Sequence, residues 1–334
     1  MAYSSIAKDF NRNSIIQAIN NFGIYTKQEI SKITKLSFPT TSKSVDELVS
    51  DKMILTLDDK RGGTGGRKAY EYQLNKEYAY SLCIIIEQNK LKAIVTNMDF
   101  ENKNFEDLTV NNDVAIQQIQ SFIQKQIDRF PKIKSIAIGV PGAVHNGKIF
   151  LIDGFKQLQN CELQNIMFDQ FKIPTKIINN MNALISGLNS TVLNQKPKEN
   201  IACIHIGEKG PGCGCLVNGA PISGFCGFQG EIGFGLYDEK QTFREIALKG
   251  YQNTQMEDYI GRLAIQIITL INPEKLMIYL SENDSTIDIK RYCQQYLPRE
   301  VIPQIQYLDS YDTDYITGLK KTGIELLYDN ALYT

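Results

Sequence analysis

Little in this sequence invites a metal, a membrane or a disulfide framework. Only two histidines, His145 and His205, occur in 334 residues, and the one close cysteine pair, Cys213 and Cys215, lacks a second Cys/His pair at zinc-site spacing. The seven cysteines (Cys83, Cys161, Cys203, Cys213, Cys215, Cys226 and Cys293) are odd in number, scattered and mostly set in apolar runs, the pattern of buried free thiols. No stretch approaches the roughly 20 apolar residues of a spanning helix. Residues 1–20 lack a basic flank with an apolar run and a small-residue cleavage site. A cytoplasmic protein without membrane contact, metal or cofactor is expected. Repeats and low-complexity tracts are missing too. A net charge of −1 with a hydrophobic fraction of 43% excludes a disordered chain, and the length suits two or three domains.

The near-neutral total hides an asymmetry. Residues 1–75 hold 11 Lys and Arg against 8 Asp and Glu, while the rest holds 25 against 29, which hints at an anionic partner for the front of the chain. Asn13 to Asn21 carries Ile15, Ile16, Ala18 and Ile19 at helical spacing and stops at Phe22-Gly23. Thr26 with Glu29 three residues on forms a capping box for a second helix bearing Ile30, Ile33 and Leu36. After a tight turn, Pro39 opens a third helix whose Val45, Leu48, Val49 and Met53 make one stripe. Two short helices, a turn and a third helix with a small polar N-terminal half is the arrangement that enters a DNA major groove. Thr40, Thr41, Ser42, Lys43 and Ser44 are then expected to face DNA, with hydroxyls for base edges or phosphates and a lysine for a phosphate.

Two alternating runs follow, flanking a basic, glycine-rich tip from Lys60 to Lys68. This is the pattern of a β-hairpin wing, with Gly62, Gly63, Gly65 and Gly66 permitting close approach and Arg61, Arg67 and Lys68 supplying charge for phosphate or minor-groove contact. A solvated hairpin tip is the bland alternative. A nucleotide-binding loop is a third, but no P-loop Lys-Ser/Thr follows and a strand comes next.

From Tyr78 onward apolar strands alternate with amphipathic helices, as in an α/β domain: SLCIIIE, KAIVTNM, a helix near Asp113 to Arg129, SIAIGV, TKIINN, a helix from Asn182 and NIACIHIG. A helix at IGRLAIQIITLI, a strand at KLMIYL and a closing helix from Asp314 to Tyr328 complete the pattern. GGRKA at Gly65 to Ala69 precedes this pattern, and within it stand GVPGAV at Gly139 to Val144, INNMNA at Ile178 to Ala183, the Gly-rich stretch from Gly207 to Gly219, GFQGEIG at Gly227 to Gly233, and INPEKLMIYL at Ile271 to Leu280. In this order and spacing the chain resembles the ROK family, which groups sugar-sensing repressors, open reading frames and sugar kinases. The resemblance implies an N-terminal winged helix-turn-helix over residues 1–75, helices plus a β-hairpin wing, followed by an α/β actin-like (ribonuclease H-like) ATPase fold in two lobes. Residues 76–182 with the C-terminal helix 311–334 form one lobe and 183–310 the other.

The kinase parts of that pattern are altered. Where the family's kinases have D-I-G-G-T at the ATP phosphates, this chain has Ile85-Ile86-Glu87-Gln88-Asn89, placing a carboxylate there and removing both glycines. The second phosphate loop, G-T-G-I-G, corresponds to Gly207-Glu208-Lys209-Gly210-Pro211, and the glycine pair near adenine to Tyr279-Leu280. The family's N-D-x-N, whose Asp is the general base, is Asn179-Asn180-Met181-Asn182. An amide cannot take a proton at neutral pH, and losing a general base costs on the order of 10²- to 10⁴-fold. The zinc pattern is lost as well, E-x-G-H becoming Glu231-Ile232-Gly233-Phe234 and the cysteine loop becoming QTFREIALKG. No catalytic residues, no ATP and no zinc are therefore expected.

For a sugar ligand the resemblance leaves Asn179, Asn180, Glu231 and Glu245, side chains that pair with hydroxyls, and Lys156 as a phosphate partner. Helix capping or surface charge is the other reading of the two glutamates, and turn formation that of the asparagines. The whole implies a DNA-binding transcription regulator, a repressor by resemblance, of carbohydrate uptake and catabolism genes. It would act as a homodimer or tetramer on a palindromic double-stranded operator and sense a carbohydrate effector. Two other readings stand beside it: a sugar kinase with an accessory DNA-binding head, and a regulator whose sensor docks a transporter-subunit protein.

Overall fold

The computed structural model describes residues 2–19, 23–57, 70–87, 89–110, 115–152, 154–191, 199–207, 209–251, 255–280 and 287–330. Its first segment is a small head. Helices α1 (Ala2–Ala18), α2 (Lys27–Thr34) and α3 (Phe38–Ser50) pack with β1 (Tyr25–Thr26), β2 (Ile54–Leu57) and β3 (Glu71–Leu74), an antiparallel sheet in the order β1-β3-β2. Ile15, Ile16, Ile19, Ile30, Val45 and Leu48 form its core. The first helix begins at Ala2, well before Asn13, and ion pairs from Lys8 to Glu47 (3.2 Å) and Arg12 to Asp51 (2.7 Å) tie this extension to α3. The capping box is formed as expected: the Thr26 hydroxyl accepts from the Glu29 amide and the Glu29 carboxylate accepts from the Thr26 N–H at 2.8 Å.

Two five-stranded sheets follow. The first contains β4 (Tyr80–Glu87), β5 (Lys90–Asn97), β6 (Asn102–Thr109), β7 (Ile133–Val140) and β10 (Thr175–Asn179) in the order β10-β7-β4-β5-β6. Helices α4 (Ala115–Arg129) and α5 (Leu163–Phe171) cover its outer face through Phe122, Ile123, Leu163 and Met167. A two-stranded hairpin, β8 (Val144–His145) and β9 (Lys148–Ile149), leads from β7 toward α5, and α6 (Asn180–Thr191) follows β10. The second sheet contains β11 (Ile201–Gly207), β12 (Gly210–Val217), β13 (Ala220–Pro221), β14 (Lys275–Tyr279) and β15 (Gln304–Leu308) in the order β13-β12-β11-β14-β15. Helices α7 (Phe243–Leu248), α8 (Met256–Ile271) and α9 (Ile289–Cys293) bury Phe243, Tyr259, Leu263 and Cys293 against its outer face. In each sheet a hairpin pairs antiparallel while the strands beyond it run parallel.

Between the sheets lie α6 and the closing helix α10 (Tyr311–Asn330), sharing a core with both: Cys83 and Ile85 from one sheet, Cys203 and Met277 from the other, and Ala183, Leu188 and Leu319 from the helices. A division at 182/183 therefore falls inside α6. The helices cross almost in backbone contact, for a Cβ on Gly318 would lie 1.7 Å from the Ala183 carbonyl oxygen, and one on Gly187 1.8 Å from that of Asp314. Only hydrogen side chains fit there. Strand β6 was not expected, because a charged edge strand with one half-exposed face carries no continuous apolar run. Among the described residues no helix is long and apolar enough to cross a membrane.

Candidate functional site

Helix α3 is set by a residue that sequence reasoning passed over. Ser37 caps it, accepting from the Thr40 N–H, and its carbonyl accepts from the Thr41 hydroxyl at 3.1 Å. Of the five residues expected to face DNA, Thr41 is fully buried and Ser44 is 6% exposed, so both point into the head. The reason is helical phase: at about 3.6 residues per turn, positions 41, 44, 45 and 48 share the inner face. Thr40, Ser42 and Lys43 remain at the surface. Ser42 is held by Lys27 Nζ at 3.1 Å, and Lys27 is paired with Asp46 at 2.5 Å. Arg61, Arg67 and Lys68 lie outside the described residues, on the segment joining β2 to β3.

A second site is a cleft of about 330 Å³ between the two sheets. Asn180 and Glu231 line it, as do Glu87, His205, Arg244 and Tyr311. The His205 ring stacks on Tyr311 with centroids 3.9 Å apart and planes 21° apart. Burial holds the imidazole down at about 4, against the weaker opposing charge of Asp312, so His205 is neutral at pH 7. The Asn180 amide donates to the Tyr311 hydroxyl at 3.0 Å. Tyr311 itself is pushed upward by burial, which keeps its proton on. Glu87 pairs with Lys92 at 2.9 Å. Tyr279 is buried, donates to Asp314 at 2.9 Å and does not line the cleft.

Two expected ligand residues are elsewhere. Asn179 is buried and does not line the cleft, its oxygen accepting from the Met181 and Asn182 N–H groups and its amide donating to Gly142 at 2.6 Å; it caps α6. Glu245 completes a second capping box, accepting from the Thr242 N–H at 2.8 Å, and that bond with the Thr242 hydroxyl holds its carboxyl below the usual range. It is exposed on α7 and does not line the cleft. Its neighbour Arg244 does, stacked over Phe234 at 5.4 Å. Lys156 is exposed on a short 3-10 turn outside the cleft, while Lys209 lines it. His205 and Arg244 are the residues sequence reasoning missed; the scarcity of histidine was the one available signal for the first.

Cys213 and Cys215 bring their sulfurs to 3.5 Å in the buried face of β12. No group of three or more His, Cys, Asp or Glu gathers at metal-binding distance among the described residues.

Residues 81–244 match the ROK family. They form a ROK domain. The chain is 25% identical over 244 residues to a xylose repressor of Caldicellulosiruptor bescii, covering 70% of this chain and 60% of that protein. It spans about three fifths of the length of the curated relatives it matches. A solved ROK family transcriptional regulator, described as a homologue of the E. coli Mlc protein, superposes with a TM-score of 0.75 at 17% identity, covering 98% of this chain and 99% of that one. A ROK hexokinase from Thermus thermophilus superposes at 0.58 and 13% identity, over 75% of this chain and 99% of its own. The ROK domain thus has the actin-like fold of the family's sugar kinases.

Proposed function

We propose that this chain is a sequence-specific DNA-binding regulator, acting as a repressor of carbohydrate uptake or catabolism genes, with a sugar-type effector in a cleft that no longer transfers phosphate. The observation that carries this reading is the outer face of the N-terminal half of α3, where Lys43 is exposed and Thr40 and Ser42 are half-buried, on a three-helix head built onto a ROK domain. The head is read as a winged helix, with the segment from Lys60 to Lys68 as its wing. Asn180 and Glu231 are the effector residues that stand together in the cleft. The names of the relatives, xylose repressor and Mlc, support repression and a carbohydrate signal.

The same side chains argue against catalysis. Asn180 is no general base, Glu87 opposes a phosphate, and Tyr279 occupies space with a ring hydrogen-bonded to Asp314. Regulation then requires that the effector bind the DNA-competent and incompetent states with different affinity. A homodimer or tetramer would set the spacing of two heads on a palindrome.

The test is a gel shift of the full chain on its own upstream region at several salt concentrations. Specific, salt-sensitive binding is expected, released by a sugar; binding no tighter than to random DNA would sink the reading.

A further inference from the structure

Three phenylalanine rings follow one another from the lining of the cleft, and two of them are about two-fifths exposed. Phe234 lines the cleft and is 41% exposed, and Phe228 beside it is 40% exposed. Their centroids are 5.3 Å apart, and Phe150, from the segment after β9, follows at 6.4 Å from Phe228. The rings form a run leading outward from the cleft, joining the second-sheet side to the first. The backbone beneath them is fixed. Gly227 has φ 75°, and a Cβ there would lie 1.9 Å from the Val144 carbonyl oxygen, so the Phe228 loop is pressed onto the β8–β9 hairpin. Behind it the Cys213 N–H donates to the Gly230 carbonyl at 2.9 Å.

Side chains of this kind carry roughly 150–250 Å² each, so the open parts of Phe228 and Phe234 offer at most about 100 Å² apiece. That is far short of the roughly 800 Å² per partner of a specific protein interface. It suits a small ligand that is polar at one end and has an apolar face at the other. A sugar ring has both, hydroxyls around its rim and C–H groups on its faces, and the C–H groups meet the negative face of an aromatic ring. The polar end has its partners inside, at Asn180 and Glu231. A single ring seated there covers neither Phe228 nor Phe150, which do not line the cleft itself. A second ring does.

We propose that the effector is a carbohydrate of at least two linked rings, the first held among the polar groups of the cleft and the second lying on Phe228 and Phe150. The inference rests on the reading of the cleft as a carbohydrate site and deepens it to an oligosaccharide class. The Arg244 guanidinium stacked over Phe234 stiffens that ring at the step between the two subsites.

Calorimetric titration of the full chain with glucose and xylose, and with cellobiose, maltose, xylobiose and sucrose, tests it. At least one disaccharide is expected to bind about tenfold or more tightly than its component monosaccharides. Phe228→Ala is expected to bring that ratio close to one, and Phe228→Trp to retain it. Should Phe228→Ala fail to fold, judged by its melting curve, Phe150→Ala reads out the same ratio. A monosaccharide that binds as tightly as its disaccharide, or a ratio that survives loss of the ring, overturns the second subsite alone. No heat with any of the six sugars overturns the carbohydrate reading with it, while the gel shift without sugar judges the DNA-binding reading separately.

Discussion

Tyr315 and Leu327 stand on one helix, about 18 Å apart along its axis at about 1.5 Å per residue, and they belong to different functional parts. Tyr315 lines the cleft; Leu327, 4% exposed, is packed in the core of the head with Ile15, Ile16 and Val45. Between them α10 crosses α6 at Gly318, and the Ser135 hydroxyl grips the Gly323 carbonyl at 2.7 Å. A tilt of α10 set at the cleft would therefore move the seat of the head. Leu327→Ala should remove about 2–5 kcal/mol of packing at that seat. DNA affinity is expected to fall in a gel shift while sugar affinity by calorimetry stays within about twofold. Parallel loss of both would show that α10 only holds the fold together.

Lys43 and Thr41 are two positions apart and should fail in different ways. Lys43→Ala is expected to weaken binding to all DNA sequences and to reduce the slope of log affinity against log salt by about one. The same is expected of Arg61→Ala, Arg67→Ala and Lys68→Ala. Thr41→Ala removes a buried hydroxyl bonded to Ser37. It should lower head stability by about 1 kcal/mol and leave the salt slope unchanged, as salt titration beside urea unfolding would show.

His205 gives a pH dependence whose sign follows from its burial. Its ordinary value of 6.5 is held down to about 4 in the folded chain. Below pH 6.5 the unfolded chain takes up a proton that the native chain refuses, so this contribution to stability is present above that pH and lost as pH falls toward 4. Between about pH 7.5 and pH 5 the loss should be roughly 2 kcal/mol. Urea unfolding over that range should show it, and His205→Gln should flatten the profile. An equally steep profile in the variant would place the proton elsewhere.

The two capping boxes show what the sequence could and could not reveal. Thr26 with Glu29 and Thr242 with Glu245 have the same spacing and the same bonds. The first is legible as a cap because a helical stripe follows it; for the second the family resemblance implies a sugar contact and leaves helix capping as the alternative. Accordingly Glu245→Ala should cost about 1 kcal/mol in thermal unfolding and leave sugar affinity unchanged. Strand and helix order was legible because apolar periodicity is local. The facing of Thr41 and Ser44 needed the phase of α3, which is fixed by its cap at Ser37. The stack of His205 on Tyr311 joins β11 to α10, and no local pattern announces a contact between residues so distant in sequence.

Asn180 offers the sharpest test of the proposed loss of catalysis. Its amide donates to Tyr311, so Asn180→Asp keeps the shape and restores a carboxylate where the family's kinases have one, with the Tyr311 hydroxyl able to turn and donate to it. If the missing base were the whole obstacle, that change would recover the 10²- to 10⁴-fold such a group supplies. The nucleotide side predicts otherwise. Glu87 lines the cleft and sets a carboxylate against any phosphate entering it, and Tyr279 is a buried ring bonded to Asp314 where the family's kinases have a glycine. Neither the natural chain nor Asn180→Asp should therefore bind ATP in calorimetry or phosphorylate any sugar in a coupled assay. ATP-dependent turnover by Asn180→Asp would mean that the nucleotide site has survived and that the chain lies one substitution from a kinase.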